Sequence, residues 1–221
     1  MKLLINGLTK YIAGLVLVGA LLFLPAGTFD YIGAWIFIAL LFLPMLVLGV
    51  VLFIKNPDLL RKRLDAKEKA STQKGVVGFS ALVFIGGFTV AGLDRRFSLS
   101  HVPTVVCVIA SCLFVLAYIL YAEVMRENAY LSRTIEVQEG QKVVDSGLYS
   151  VVRHPMYSAT VLLFLMIPLI LGSLWALLVF LPYPFLIAVR IVDEEKLLTR
   201  ELEGYSEYKK KVKWKLIPFI W

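Results

Sequence analysis

The chain has 221 residues, 59% of them hydrophobic, and a mean hydropathy of +0.80; this excludes an ordinary water-soluble domain and marks an integral membrane protein whose core is partly the bilayer. The formal net charge of +7 does not indicate a nucleic-acid partner, because the basic residues lie between or after apolar runs, where topology and anionic headgroups account for them. With only His101 and His154 in the chain no metal is expected, and Cys107 and Cys112, in one apolar segment without acidic neighbours, read as small core residues.

The first apolar run follows Lys2 and Lys10 and imitates a signal peptide. No small-x-small cleavage site follows it and Pro25-Ala26-Gly27 leads into a second span, so it is expected to remain as a membrane helix. About 20 residues are needed to cross roughly 30 Å of hydrocarbon, a length met by Leu8 to Ala26, Tyr31 to Ile54, Gly75 to Leu93 and Pro103 to Val124. Between the second and third of these, Asn56 offers a cap, Pro57 a first turn, and Leu59, Leu60 and Leu64 an apolar side. The loop from Lys55 to Lys74 is therefore expected to hold a short interfacial helix.

Residues 125 to 156 are polar and patterned, with alternation in Thr134-Ile135-Glu136-Val137-Gln138 and turn signals at Glu139-Gly140 and Asp145-Ser146-Gly147. They are too long for a simple connection. Tyr157 to Gly172 and Leu174 to Val189, joined at Gly172-Ser173, predict a tight helical hairpin. Its arms of 16 residues, roughly 24 Å each, cross with local thinning or polar extensions. The second arm continues into water with Leu197, Leu198 and Leu202 on one face and Gly204 as its stop, and the final Ile-Pro-Phe-Ile-Trp lies back on the membrane or covers a pocket.

The expected fold is thus an all-α polytopic membrane protein of about five to six transmembrane helices, with a C-terminal helical hairpin. Residues 1–124 hold the N-terminal helices and interfacial loop; residues 125–221 hold the polar loop, the hairpin and the C-terminal helix. Six crossings put the N-terminus, the loop from Lys55, the polar segment and the C-terminal tail on one side, with 2, 7, 4 and 8 Lys and Arg, or 21 of the 23. Only Arg95 and Arg96 lie opposite. The bias predicts that both termini are cytoplasmic, in an inner or cell membrane.

Arg153-His154-Pro155 borders the hairpin's first arm, where two readings stand. The cation and imidazole anchor a helix end at the membrane surface, or they join the helix's free N–H groups in facing a carboxylate or phosphate. Arg190 and Glu194, four apart, are likewise either an exposed ion pair worth a few tenths of a kcal/mol or part of a site. The hairpin makes Glu194 and Glu195 neighbours of Pro155, and an anion-binding cluster beside paired carboxylates suits a zwitterionic ligand such as an amino acid. On that reading His154 and Tyr157 hold its carboxylate, a glutamate holds its ammonium, and Tyr205 and Tyr208 supply aromatic cover or interface anchors.

Gly147-Leu148-Tyr149, Arg153-His154-Pro155-Met156-Tyr157, Arg190 with Glu194-Glu195, Gly204-Tyr205-x-x-Tyr208 and Pro218 together resemble the isoprenylcysteine carboxyl methyltransferase family over roughly the last 95 residues. The resemblance implies a membrane-embedded methyltransferase using S-adenosylmethionine and related to phospholipid methyltransferases, with residues 125–221 as the methyltransferase core and a cytoplasmic cofactor pocket within it. It implies that His154 and Tyr157, with Arg153 beside them, hold the cofactor's methionine end. Glu194 or Glu195 faces the same pocket, and Leu148, Tyr149 and Leu198 wall it. Arg190 lies near the reacting carboxylate, and Arg190 and Glu195 are the candidate catalytic residues. The acceptor is expected to be an isoprenylcysteine-like or other lipidic carboxylate drawn from the membrane lipids, with a lipid amine as the alternative. A transporter or scaffold is the non-enzymatic alternative, disfavoured because ionisable residues gather at the mouth rather than at mid-membrane. Nothing in the chain identifies a protein partner, and substrate choice is expected to reside in the first four helices.

Overall fold

The computed structural model describes residues 2–64, 71–131 and 136–221, with the backbone alone at 71–74. Its helices are α1 (Lys2–Ala26), α2 (Ile32–Lys55), α3 (Pro57–Leu64), α4 (Ser71–Phe97), α5 (Thr104–Glu127), α6 (Pro155–Ile170), α7 (Leu174–Phe180), α8 (Tyr183–Glu201) and α9 (Tyr205–Lys211), with a 3₁₀ turn at Gly147–Ser150. Among the described residues there is no strand, and five stretches are long and apolar enough to cross a membrane: α1, α2, Gly75–Phe97 of α4, α5, and Leu174–Glu201 across α7 and α8. The chain is an all-α, polytopic membrane protein.

α6 is shorter, at 16 residues or roughly 24 Å, yet it runs from one end of the bundle to the other. Its first turn lies beside the C-terminal tail, while Ser173, just beyond its last turn, bonds to Asp94 at the far end of α4. Asp94 is 1% exposed and accepts from the Ser100 N–H at 2.8 Å and from the Ser100 and Ser173 hydroxyls at 2.5 Å each. Ser173 Oγ in turn accepts from the Ala176 N–H at 3.0 Å, capping α7, and the Tyr31 hydroxyl donates to the Leu171 carbonyl at 2.8 Å. A carboxylate this buried is held by donors that leave it no unmet acceptor demand.

The opposite end gathers the segments that six crossings assign to one side. Lys10 donates to the Leu64 carbonyl at the end of α3, and Lys62 reaches Gln138 in the polar segment. Leu59, 2% exposed, packs with Val124, Met125, Leu131 and Tyr149, so the interfacial helix expected after Asn56 is part of the fold; the remainder of its loop, 65–70, lies outside the described residues. So does Thr134-Ile135 of the expected alternation, while Glu136-Val137-Gln138 is irregular.

The hairpin's second arm departs from the expectation of one continuous helix. It breaks at Leu181-Pro182 into α7 and α8, because Pro182 and Pro184 supply no N–H for a continuing ladder. α8 then runs to Glu201, well past the predicted apolar limit at Val189, and carries the polar mouth residues on a rigid helix.

α1 and α4 cross closely at Gly92, where an added Cβ would lie 2.6 Å from the Leu22 carbonyl oxygen and 3.0 Å from the Pro25 Cβ. Gly92→Ala should lower stability by about 1–3 kcal/mol through overpacking, read as a reduced melting temperature in detergent. Gly49→Ala, where nothing lies within 4 Å, should leave the transition where it is.

Candidate functional site

Three elements meet where α6 begins. His154 is the residue before Pro155 and takes a non-helical conformation, φ −127, as the proline ring demands of its predecessor. The N–H groups of Arg153 and His154 donate to the carbonyls of Trp214 and Lys215, each at 2.9 Å, and the Ser158 hydroxyl donates to the Leu216 carbonyl at 2.5 Å. The C-terminal tail is therefore a strap bonded along the start of α6.

Arg153 is 7% exposed and Glu195 is 5% exposed. The guanidinium donates through Nε to Glu195 Oε1 at 2.6 Å and through Nη1 to the carbonyls of Val212 and Lys213 at 2.7 and 2.9 Å. His154 Nε2 lies 3.2 Å from the same carboxylate oxygen; an ionised carboxylate only accepts, so Nε2 carries the proton. Lys215 Nζ stands 3.6 Å from Glu195 Oε2. One carboxylate thus joins α6, α8 and the strap.

Its neighbour Glu194 points elsewhere, since successive residues of an α-helix are turned by about 100°. Tyr157, 6% exposed, donates its hydroxyl to Glu194 Oε2 at 2.6 Å and accepts from Arg190 Nε at 2.9 Å. Arg190 and Glu194, one turn apart, are therefore linked through a phenol of the facing helix, a relay that an exposed i,i+4 ion pair would not need.

The polar segment supplies the third wall. Gly147 sits at φ +53, and a side chain there would overlap the Glu127 carboxylate, which accepts from the Leu148 N–H at 3.0 Å through one oxygen and 3.3 Å through the other. This fixes the turn that buries Tyr149, whose hydroxyl accepts from Asn128 Nδ2 at 2.9 Å and whose carbonyl accepts from the Tyr208 hydroxyl at 2.7 Å. Burial raises the pKa of Tyr149, Tyr205 and Tyr208 above the ordinary phenol value, so all three remain neutral.

Between these walls is a cavity of about 90 Å³, bounded by Tyr149, Arg153, His154 and Tyr157, by Glu194, Leu198 and Leu202 of α8 and the residue that ends it, by Tyr205 and Tyr208, and by loop residues that include Gln141 to Val144. Tyr205 Oη is buried and, among the described residues, has no hydrogen-bond partner. A carboxylate, an imidazole, a guanidinium and phenols on one side, with leucine and valine on the other, suit a ligand that is zwitterionic at one end and apolar and aromatic at the other.

Six of the eight candidate cofactor-binding residues line this cavity, Tyr149, Arg153, His154, Tyr157, Glu194 and Leu198, and Tyr205 and Tyr208 line it as well. Arg190 and Glu195 stand behind it, reaching it through Tyr157 and through Arg153 and His154. Leu148 is not in the lining; its side chain packs against the cluster that holds Leu59, Val124, Met125, Leu131 and Tyr149. Glu127 and Asn128 were not anticipated, and Leu202 was expected only on the apolar face of the helix, not in the cavity wall. The signal for the first two was a carboxylate and an amide placed just past an apolar run, but their partners lie 21 residues further on.

Residues 105–204 match the family model described as phospholipid methyltransferase, a family that includes isoprenylcysteine carboxyl methyltransferases. The matched region runs from α5 to Gly204 and encloses Arg153, His154, Tyr157, Arg190, Glu194 and Glu195. Comparison with curated proteins found no match.

Removing one member of a buried ion pair leaves the other uncompensated, at a cost of about 3–5 kcal/mol, whereas replacing both by apolar groups is far milder. Arg153→Met should therefore destabilise strongly in detergent unfolding, and Arg153→Met with Glu195→Leu should recover much of the loss. Equal destabilisation by single and double variants would contradict the pairing.

Proposed function

We propose that this chain, which over residues 105–204 matches the phospholipid methyltransferase family model, is an S-adenosylmethionine-dependent integral-membrane methyltransferase acting on the carboxylate of an isoprenylcysteine-like or other lipidic acceptor. The observation that carries this reading is the convergence of Arg153, His154, Tyr157 and Glu194 on one cavity at the mouth of α6 and α8. The excess of Lys and Arg among the segments at that end, 21 of 23, supports a cytoplasmic site.

The donor set fits the cofactor. Glu194 suits an ammonium, His154 and Tyr157 suit a carboxylate, the buried Tyr205 hydroxyl, which has no partner among the described residues, suits a polar nucleoside group, and Leu198 and Leu202 suit an aromatic base. The volume, about 90 Å³, is the space of roughly three waters and well below the several hundred Å³ of a typical ligand site. The cavity would therefore have to widen to admit the whole cofactor.

S-adenosylmethionine, when bound, supplies an electrophilic methyl group on a positively charged sulfur. A carboxylate acceptor is ionised at pH 7 and needs no base. Arg190, steadied by the Tyr157 hydroxyl, orients that carboxylate. Glu195 acts at one remove, fixing Arg153 and His154 in the wall. Holding two reactants in line contributes up to roughly 7–11 kcal/mol in ideal cases, which is the service a rigid α6–α8 mouth performs.

A second reading, transfer to a phospholipid amine, is favoured by the description of the matched family. A protonated amine must first lose a proton, so His154 or Glu194 would serve as base. Product lability separates the two: a methyl ester releases methanol in mild base and an N-methyl group does not.

Purified protein should bind labelled S-adenosylmethionine in detergent, and failure to bind would sink the class. Tyr157→Phe and Glu194→Gln should each weaken binding by about 10- to 100-fold, the loss of one charge-assisted hydrogen bond, with little change in melting temperature.

A further inference from the structure

A second groove, of about 430 Å³, lies between α8 and the strap and is lined by Val192, Glu195, Lys196, Thr199, Arg200, Lys209 and Lys215. Of these residues only Glu195 enters the methyl-transfer reading, from its other side, and four of the rest are cations. We propose that this groove binds the phosphate of an anionic membrane phospholipid, with the lipid's acyl chains lying along the apolar residues beside it.

The position of the groove follows from one face of α8. Phe185, Val189, Val192, Lys196 and Arg200 recur at helical spacing and are all exposed, so they form a single stripe. The stripe is apolar through Val192 and cationic from Lys196, which marks where the helix leaves hydrocarbon for the headgroup layer. The strap reaches the same level. Leu216 is buried against Tyr157, Tyr183, Ile187 and Ile191, while Ile217, Phe219 and Ile220 remain exposed. Lys215 Nζ stands 4.8 Å from the centre of the Trp221 ring, an aromatic and a cation paired as at membrane interfaces. A soluble anion would use only the cations; a phospholipid uses the cations and the apolar surface continuous with them.

The carboxylates nearby do not fill the groove. Lys196 pairs with Asp193 at 3.2 Å and Arg200 with Glu201 at 2.5 Å, and the cationic partner is largely exposed in both, which makes such pairs weak and easily exchanged. Glu195 is 5% exposed and committed to Arg153 and His154, with Lys215 at 3.6 Å from its other oxygen, so Lys196, Arg200 and Lys209 are the cations left to an anion. Lys209 Nζ reaches the Thr199 hydroxyl at 3.4 Å, closing the water side of the groove with a donor that a phosphate oxygen can take over.

The test is native mass spectrometry of the full chain carrying phosphatidylglycerol or phosphatidylcholine. The protein should retain phosphatidylglycerol preferentially, and Lys196→Gln/Arg200→Gln/Lys209→Gln should lower that preference by about tenfold or more. Each single substitution should lower it part of the way, which keeps the test informative if the triple variant unfolds. Removing three cations elsewhere, by Lys2→Gln/Arg61→Gln/Arg126→Gln, should leave it nearly unchanged. Equal loss from both triple variants would reduce the effect to general surface charge and overturn the site. Inorganic phosphate that stabilises the protein as well as the lipid does would overturn the lipid as its occupant. Labelled S-adenosylmethionine binding should persist in the Lys196, Arg200 and Lys209 variant, so this outcome and that of the methyltransferase reading are independent.

Discussion

The arrangement depends on one buried carboxylate. Glu195 receives the Arg153 guanidinium and the His154 imidazole on one oxygen and faces Lys215 with the other. Arg153 in turn bonds the Val212 and Lys213 carbonyls, so a single charge fixes the start of α6, the water-side half of α8 and the strap relative to one another. Such a pair need not add stability over an apolar replacement. What it supplies is a defined register between three segments distant in sequence.

That register frees Glu194. Because Glu195 turns toward Arg153, the adjacent carboxylate is directed to the cavity, where the Tyr157 hydroxyl links it to Arg190. Two acidic residues side by side thus differ in role by helix geometry alone. The same geometry sets the exposed stripe of α8, so one helix carries the cavity wall, the register and this stripe on three faces.

The far end of the bundle solves a related problem by different means. α6 has only 16 residues, and its far end is fastened by Asp94, Ser100, Ser173 and Tyr31. A short helix with both ends tied, by the strap at one and by Asp94 at the other, is a firm base for the site at its first turn.

Sequence alone determined the elements that answer to local physics. Apolar length marked the membrane helices, Gly172-Ser173 the hairpin turn, Asn56-Pro57 the interfacial helix, and the order Arg153-His154-Pro155 to Glu194-Glu195 the mouth where polar residues gather. Sequence could not say which glutamate faces the cavity, because that depends on the rotation of α8 against α6. It could not foresee the break at Pro182, where two prolines outweigh an unbroken apolar run. Nor did it place Glu127 and Asn128 beside Gly147 and Tyr149, or pair Trp214 and Lys215 with Arg153 and His154. Those contacts join residues 21 to about 60 positions apart, and only the packed helices bring them within hydrogen-bonding distance.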